Sequence, residues 1–424
     1  MPDRVIYIVR SWPRLSQTFV VNEVLALERR GVEIAIYSLV RSHEEIVQPG
    51  VDDVRAPVRY LEDQLAEPWL RRVRVHLVAL SASPSRYLHL LRYCLANPAL
   101  AAGYGECSTL ACFARAVRIA AGLEAMRAAG KHPVRIHAHF AHDPALVGLL
   151  VARLTGLPFS FTAHARDLIQ IPPESLATRA AAATTLVTCC RENATYVDSV
   201  VPPTRRPPVL VLHHGVELTR FHPTFRDPAV PVLRLVSVGR LVEKKGYVEL
   251  LHALAAASEA DLLFTCDIFG DGPLEAQLLA LRAELQLDER VRFMGARDSD
   301  GIRRALGEAD AFVLTPQVTA DGDRDGIPNV LVEAMACGLP VVTTTAGGIT
   351  ELVQHERNGL VCDPGNVPAV AAAVTRLLRD PRLRARLGAA ARNTVEADYD
   401  VDAAAEAMER VLLARTPSEL GVTG

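Results

Sequence analysis

The chain has 424 residues, half of them hydrophobic, and a formal net charge of −3. That length exceeds one ordinary domain and points to two lobes of roughly 200 residues, each with apolar side chains enough for a core. A near-neutral balance excludes a global field that would recruit nucleic acid or an anionic membrane, and no apolar run reaches the roughly 18 residues of a membrane-spanning helix. Residues 1–12 lack the apolar region of a signal peptide, and residues 5–9 (VIYIV) read instead as a first buried strand. A helix over 20–30, closed by Gly31, and a strand over 32–39 complete a βαβ opening. It sets Ser16, Gln17 and Thr18 at a helix N-terminus, where Ser16 or Thr18 either caps the helix or faces a ligand beyond the sheet edge.

Residues 68–95 carry Trp69, Arg71, Arg72, Arg74, His76, Arg86, Tyr87, Arg92 and Tyr93 among Leu and Val. The commoner reading of such a stretch is a solvated helix face with its apolar side in the core. The alternative is an amphipathic helix lying on an anionic membrane. Residues 135–144 (RIHAHFAHDP) place His137 and His139 two apart on a strand and His142 in the loop after it, without a nearby Cys or Glu to complete a metal set. In 159–167 (FSFTAHARD) a strand runs into a loop that begins at His164, a site candidate on geometry alone. Residues 186–190 and 209–213 continue the sheet, and 213–231, rich in turn residues, reads as the domain boundary. The eight cysteines show no CxxC or Cys/His zinc spacing and read as buried thiols of a reducing cytoplasm.

The second lobe opens with a strand over 233–238, then Gly239-Arg240, Lys244-Lys245-Gly246 and a helix over 247–257. Cations between a strand and a helix N-terminus suit a diphosphate: the helix amides supply oriented dipoles and Arg and Lys supply charge. Residues 267–273 and 290–295 each pair a strand with glycine. Strand 311–315 leads through an Asp-rich loop to Pro328 at a natural first helical position and a helix over 330–337; strand 341–345, the bare loop Ala346-Gly347-Gly348 and a helix over 349–354 follow. This alternation is that of a doubly wound α/β domain with a parallel sheet. Asp325 before the helix and Glu333 within it, eight positions apart, suit a sugar's hydroxyls; the plainer reading is a solvated loop acid and a helix-surface acid. Residues 367–395 read as one long helix, followed by a turn at 398–400 and a last helix to 413.

The region 308–364 resembles the E-x7-E region of the retaining, GT-B-fold glycosyltransferases of family four. The opening stretch, Pro13-Arg14-Leu15-Ser16-Gln17-Thr18-Phe19 with Asn22-Glu23, looks like the exopolysaccharide, colanic-acid-type branch of that family. The resemblance covers nearly the whole chain and is stronger in the second lobe. It implies two Rossmann-like domains facing a cleft: 1–220 on the acceptor side, joined by the C-terminal helix 400–414, and 221–399 for the nucleotide sugar. It assigns Arg240 and Lys245, with Lys244 as substitute, to the donor diphosphate and Glu333 to the ribose. Met294 and Gly295 frame the base, while Asp325, His139 and Gly347–Gly348 surround the sugar; His142 is second to His139, and His164 matches the family's Thr-x-His. Ser16 and Thr18 lie in the substrate-binding loop of the first lobe. Three departures stand out: Asp325 replaces the first Glu, the first lobe lacks the glycine pair, and His214-Gly215-Val216-Glu217 replaces Asn-Gly-Val-Asp.

The activity so implied is transfer of a sugar with retention, without metal or other cofactor, from a UDP- or GDP-linked donor to a lipid-linked or soluble glycan acceptor. The setting is the cytoplasm, with peripheral contact at the inner face of the membrane if 68–95 binds lipid. Asp321-Gly322-Asp323 mimics the DxD of metal-dependent glycosyltransferases but precedes a helix, and reads as a loop. The rivals are a glycosyltransferase decorating a soluble natural product, an epimerase or phosphorylase of the same architecture, and a non-catalytic nucleotide-sugar-binding protein.

Overall fold

A computed structural model describes residues 4–62, 67–103, 107–224, 232–259, 262–414 and 419. The chain divides into two compact units, Met1–Leu212 with Ala404–Gly424, and His213–Ala403.

The first unit is built on seven strands: β1 (Arg4–Trp12), β2 (Glu33–Arg41), β3 (Val58–Tyr60), β4 (Pro133–His139), β5 (Phe159–Ala163), β6 (Thr185–Thr188) and β7 (Val209–Val211). They pair in the order β3-β2-β1-β4-β5-β6-β7, every pair parallel. Parallel strands bury both faces, and β1 obeys: Val5, Ile6, Tyr7, Ile8 and Val9 are all shut away from solvent. Helix Thr18–Arg29 follows β1, and helices Thr109–Ala128 and Asp143–Thr155 supply much of the apolar cover.

The second unit carries β8 (Leu233–Val238), β9 (Phe264–Phe269), β10 (Val291–Phe293), β11 (Ala311–Val313), β12 (Val341–Thr344) and β13 (Leu360–Cys362) in the order β10-β9-β8-β11-β12-β13, again all parallel. Each sheet therefore starts in its middle and reverses direction once, between β1 and β4 and between β8 and β11. In such sheets ligands bind beyond the strands' carboxyl ends at that reversal.

The expected long helix over 367–395 is two helices, Val367–Arg379 and Pro381–Asp398, because Pro381 lacks the amide to continue the first. Asp380 caps the second by accepting the Leu383 amide at 2.9 Å. Likewise 68–95 is two helices, Trp69–Ala82 and Pro84–Ala96, parted at Ser83. Their apolar side is not all in the core: Trp69, Leu70, Val73, Leu77, Val78, Leu88 and Leu95 are exposed. The last helix, Val401–Leu413, ends against β4, where the buried Arg135 guanidinium donates to the carbonyls of Leu412 and Ala414. Those are the acceptors that a helix C-terminus leaves unpaired.

Candidate functional site

In the second unit, the loops leaving β8 and β11 lock together at the reversal. Gly246 has φ +69°, and a Cβ there would stand 1.8 Å from the Thr315 carbonyl oxygen. The Thr315 hydroxyl donates to the Gly246 carbonyl at 2.6 Å, and the Gln317 amide donates to the Lys244 carbonyl at 2.8 Å. Only glycine fits both the left-handed backbone and the close approach. This contact holds Lys244 and Lys245 over the carboxyl end of β8, at the entrance to helix Tyr247–Glu259.

The two lysines meet the Asp-rich loop. Lys245 Nζ lies 2.6 Å from Asp325 Oδ2, and Lys244 Nζ lies 3.2 Å from Asp325 Oδ1 and 3.1 Å from Asp323 Oδ1. Burial opposes the charge on Asp325, but Lys245 and then Lys244 hold its carboxyl below the ordinary range. Burial likewise works against Lys244, and Asp325 and Asp323 overcome it and raise its pKa. Sequence reasoning had Asp325 beside the donor sugar; here its carboxylate spans both lysines. Asp323, half of the DxD mimic, is engaged by Lys244. Arg240 is exposed, and among the described residues its guanidinium has no ion pair or hydrogen bond.

Glu333 sits on helix Asn329–Ala336, which follows the Asp325 loop. Burial pushes its carboxyl up to about 7, with the distant Arg220 charge only partly offsetting it. A carboxyl so placed is half ionised near neutrality and can exchange hydrogen bonds with vicinal hydroxyls. Gly347, at φ +66°, passes so close that a Cβ would lie 1.9 Å from the Asp325 carbonyl oxygen, and the Gly348 amide donates to the Gly326 carbonyl at 3.0 Å. The Met294 amide continues the β9–β10 ladder to Ile268, and Gly295 accepts from the Gly270 amide at 3.0 Å. Arg240, Lys245, Asp325 and Gly347 thus come from loops at the β8–β11 reversal or the neighbouring β12 end, with Glu333 on the helix entered from the β11 loop and Met294–Gly295 two strands away.

In the first unit the reversal is lined mainly by rings, and its Arg10 is paired with Asp143 at 2.6 Å. Tyr7 of β1 donates its hydroxyl to Glu23 Oε1 at 2.7 Å, and His139 Nε2 lies 3.1 Å from the same oxygen. On its other side His139 Nδ1 stands 3.4 Å from His164 Nε2, the two rings stacked with centroids 5.6 Å apart. Burial works against the charge on Glu23, but His139, His137 and the Tyr7 hydroxyl outweigh it and pull the carboxyl down to about 2.

His139 was expected at the donor sugar. Its ring is fully enclosed, so the partly exposed His164 is the member of this row that can meet a ligand. His142 is buried too; its Nδ1 accepts the Asp143 amide at 2.8 Å, capping helix Asp143–Thr155, and burial holds it neutral. Ser16 is exposed, and Thr18 begins its helix without a side-chain cap, so capping is not the role of either.

Three residues were missed. Glu23 is 116 positions from His139, and only the β1–β4 pairing brings them together. Asp167 is buried and accepts the amides of Ala141 at 2.7 Å, His164 at 3.0 Å and Ala165 at 2.9 Å, tying the loops after β4 and β5 to one carboxylate. Phe140, between His139 and that tie, holds a φ of 81°. Such a backbone costs a non-glycine residue on the order of 1–3 kcal/mol and gathers at functional sites.

Residues 231–394 match the family model described as glycosyl transferases group 1. The amylovoran biosynthesis glycosyltransferase AmsK of Erwinia amylovora is 38% identical over 205 residues, which are 47% of this chain and 50% of AmsK. Glycogen synthase of Mycobacterium tuberculosis is 31% identical over 211 residues, half of each chain. The chain is thus aligned with about half the length of these curated relatives. Among solved structures, Anabaena Alr3699/HepE in complex with UDP and glucose superposes with a TM-score of 0.68 at 17% identity, covering 96% of this chain and 99% of that one. Sucrose-phosphate synthase from Thermosynechococcus elongatus gives 0.66 at 18% identity over 96% and 98%. The fold is the GT-B fold of two Rossmann-like sheets, and residues 231–394 are similar to the glycosyl transferases group 1 family.

Proposed function

We propose that this chain is a retaining, metal-independent glycosyltransferase that moves a sugar from a nucleotide sugar to a hydroxyl of a growing exopolysaccharide. One observation carries the reading: Arg240, Lys244 and Lys245 gather at the reversal of the second sheet, with a carboxyl of raised pKa, Glu333, on the helix entered from its β11 loop. A diphosphate takes the place of the Asp325 and Asp323 carboxylates on the lysine ammonium groups, and Arg240 adds the third cation. Fixed positive charge on the departing nucleoside diphosphate is then the main catalytic effect. Glu333 binds the ribose hydroxyls, the Met294–Gly295 backbone frames the base, and Gly347–Gly348 brings bare backbone to the sugar. With three cations on the leaving group, no metal is required. Retention follows from attack on the same face as the departing phosphate, which also takes the acceptor's proton.

The names of relatives support the donor and pathway: HepE was solved with UDP and with UDP-glucose, and AmsK is named for amylovoran biosynthesis. The acceptor is read as a lipid-linked glycan at the inner face of the cytoplasmic membrane. Trp69, Val73 and Leu77, spaced four apart on one helix face, are exposed, and residues 69–96 hold five arginines and no Asp or Glu. Apolar side chains ringed by cations suit an anionic bilayer surface. Among the described residues, no helix is long and apolar enough to cross a membrane.

The test is thermal unfolding against UDP, GDP, ADP and dTDP with and without EDTA, followed by turnover of the matching nucleotide sugar. A ligand at 100 times its Kd adds about 2.7 kcal/mol to native stability. One nucleotide should raise Tm with EDTA present, and the product should keep the donor's anomeric configuration. An inverted product, or transfer abolished by EDTA, would refute the mechanism; binding without any turnover would favour the non-catalytic rival.

A further inference from the structure

Seven of the eight cysteines are buried, and Cys107 alone is partly exposed. Its Sγ lies 3.5 Å from Cys112 Sγ and accepts from Arg115 Nη1 at 2.8 Å. Cys107 immediately precedes Ser108, the residue whose hydroxyl caps helix Thr109–Ala128 by accepting the Ala111 amide at 3.2 Å. A thiolate there meets the positive end of a 20-residue helix as well as a guanidinium. Cys112, one turn into the helix, is completely buried. The Cys112 hydrogen bond, with Arg115 and Arg10 behind it, outweighs burial and brings Cys107 down to about 7, while its partner is driven well above the ordinary thiol range.

A partly exposed thiol of lowered pKa beside a shielded one is the arrangement of an attacking and a resolving thiol. The other six sulfurs are all buried, the Cys189–Cys190 pair included. Cys94, Cys266 and Cys362 are buried thiols whose pKa burial raises, and Cys189 is pushed up as well.

We propose that Cys107 and Cys112 form a redox-active dithiol, a site of modification by a hydroperoxide or a low-molecular-weight disulfide, that closes to an intramolecular disulfide. With hydrogen peroxide, the Cys107 thiolate attacks one oxygen, the O–O bond breaks, and hydroxide leaves a sulfenic acid on Cys107. Cys112 then attacks that sulfur, forming the S–S bond and expelling a second hydroxide; the Cys112 proton and one from solvent complete two waters. Two thiols are oxidised by two electrons and the peroxide is reduced by two. With oxidised glutathione, Cys107 takes one glutathionyl group and releases a thiolate, and Cys112 displaces the second. The sulfurs must close from 3.5 Å to about 2.05 Å, a movement within reach of the residues that open a helix.

The bond would form beside a charged group of the first sheet's reversal, since Asp143, paired with Arg10 at 2.6 Å, acts electrostatically on both sulfurs and Arg10 acts on Cys107.

The test uses the full chain, treated with oxidised glutathione or hydrogen peroxide and followed by intact mass and peptide mapping. The expected result is loss of two hydrogens, a cross-link between Cys107 and Cys112, and full reversal by dithiothreitol. Cys112→Ser should stop at one glutathione on Cys107, Cys107→Ser should show neither product, and Cys266→Ser should behave as the unmodified chain. Alkylation of Cys107 should reach half its maximal rate near pH 7. A cross-link elsewhere, no loss of hydrogens in the folded protein, or an unchanged reaction in Cys107→Ser would overturn the proposal.

Discussion

The two sheets share one topology and differ in what their reversals are made of. Both run three strands one way and then three or four the other. The β8–β11 reversal gathers Arg240, Lys244 and Lys245, whereas the β1–β4 reversal gathers Tyr7, Glu23, His139 and His164. Topology fixes where a crevice falls; loop residues decide whether it attracts an anion or offers hydrogen-bonding rings. In the second unit the acids touching the lysines, among the described residues, are Asp323 and Asp325, side chains that a diphosphate can displace. In the first unit the acid is already committed, as Glu23 is held between Tyr7 and His139.

That contrast breaks most severely at Lys245. Lys245→Ala should lower kcat on the order of a hundredfold or more, the scale of losing one charge-stabilising donor, with His164 geometry untouched; steady-state kinetics beside a crystal structure would check both. Gly246→Ala should destabilise the second unit by about 2–4 kcal/mol, from a left-handed backbone and a clash with Thr315. Scanning calorimetry should show that loss, and an unchanged Tm would remove the argument for the interlocked loops.

Protonation sharpens the comparison, since Glu333 of the second unit and Glu23 of the first are shifted in opposite directions. Glu333 has its pKa raised to about 7, so its contribution to stability is full below the ordinary value of 4.5 and is lost as pH rises through about 7. Ribose hydroxyls favour the carboxylate, so nucleotide affinity should rise between pH 6 and 8, and Glu333→Gln should flatten the profile. Glu23, lowered to about 2, contributes stability that is full above 4.5 and is lost as pH falls through about 2. Glu23→Gln should therefore cost stability at neutral pH yet leave nucleotide affinity within about twofold. The smallest effect belongs to the exposed helix: Trp69→Ser with Leu70→Ser should reduce sedimentation with anionic vesicles several-fold and leave turnover of a water-soluble acceptor unchanged.

Much of this was legible from local signals. Strand 233–238 and the helix from Tyr247 follow from an apolar run, a glycine and helical spacing; Arg240 and Lys245 read from the sequence as cations near a helix entrance and Glu333 as a helix residue eight positions after Asp325, with their roles drawn from the family resemblance. Pairings across the sheet were not legible. Glu23 looks like an exposed helix acid until β1 lies against β4, and Asp167 looks like a loop acid until it collects three amides. His139 was expected at the sugar by family resemblance, and spacing along a strand could not show that His137 and His139 are both fully buried. The unbroken helix over 367–395 failed for a local reason, Pro381, outweighed by a long run of helix-forming residues.

The central claim is that the β8–β11 reversal is a diphosphate seat. Calorimetric titration with the preferred nucleoside diphosphate and its monophosphate, on the unmodified chain and on the double variant Arg240→Ala/Lys245→Ala, tests it most directly. The account predicts that the diphosphate binds at least tenfold more tightly than the monophosphate and that the variant erases the difference. Equal affinities in the unmodified chain, or a preference that survives the loss of both cations, would contradict it.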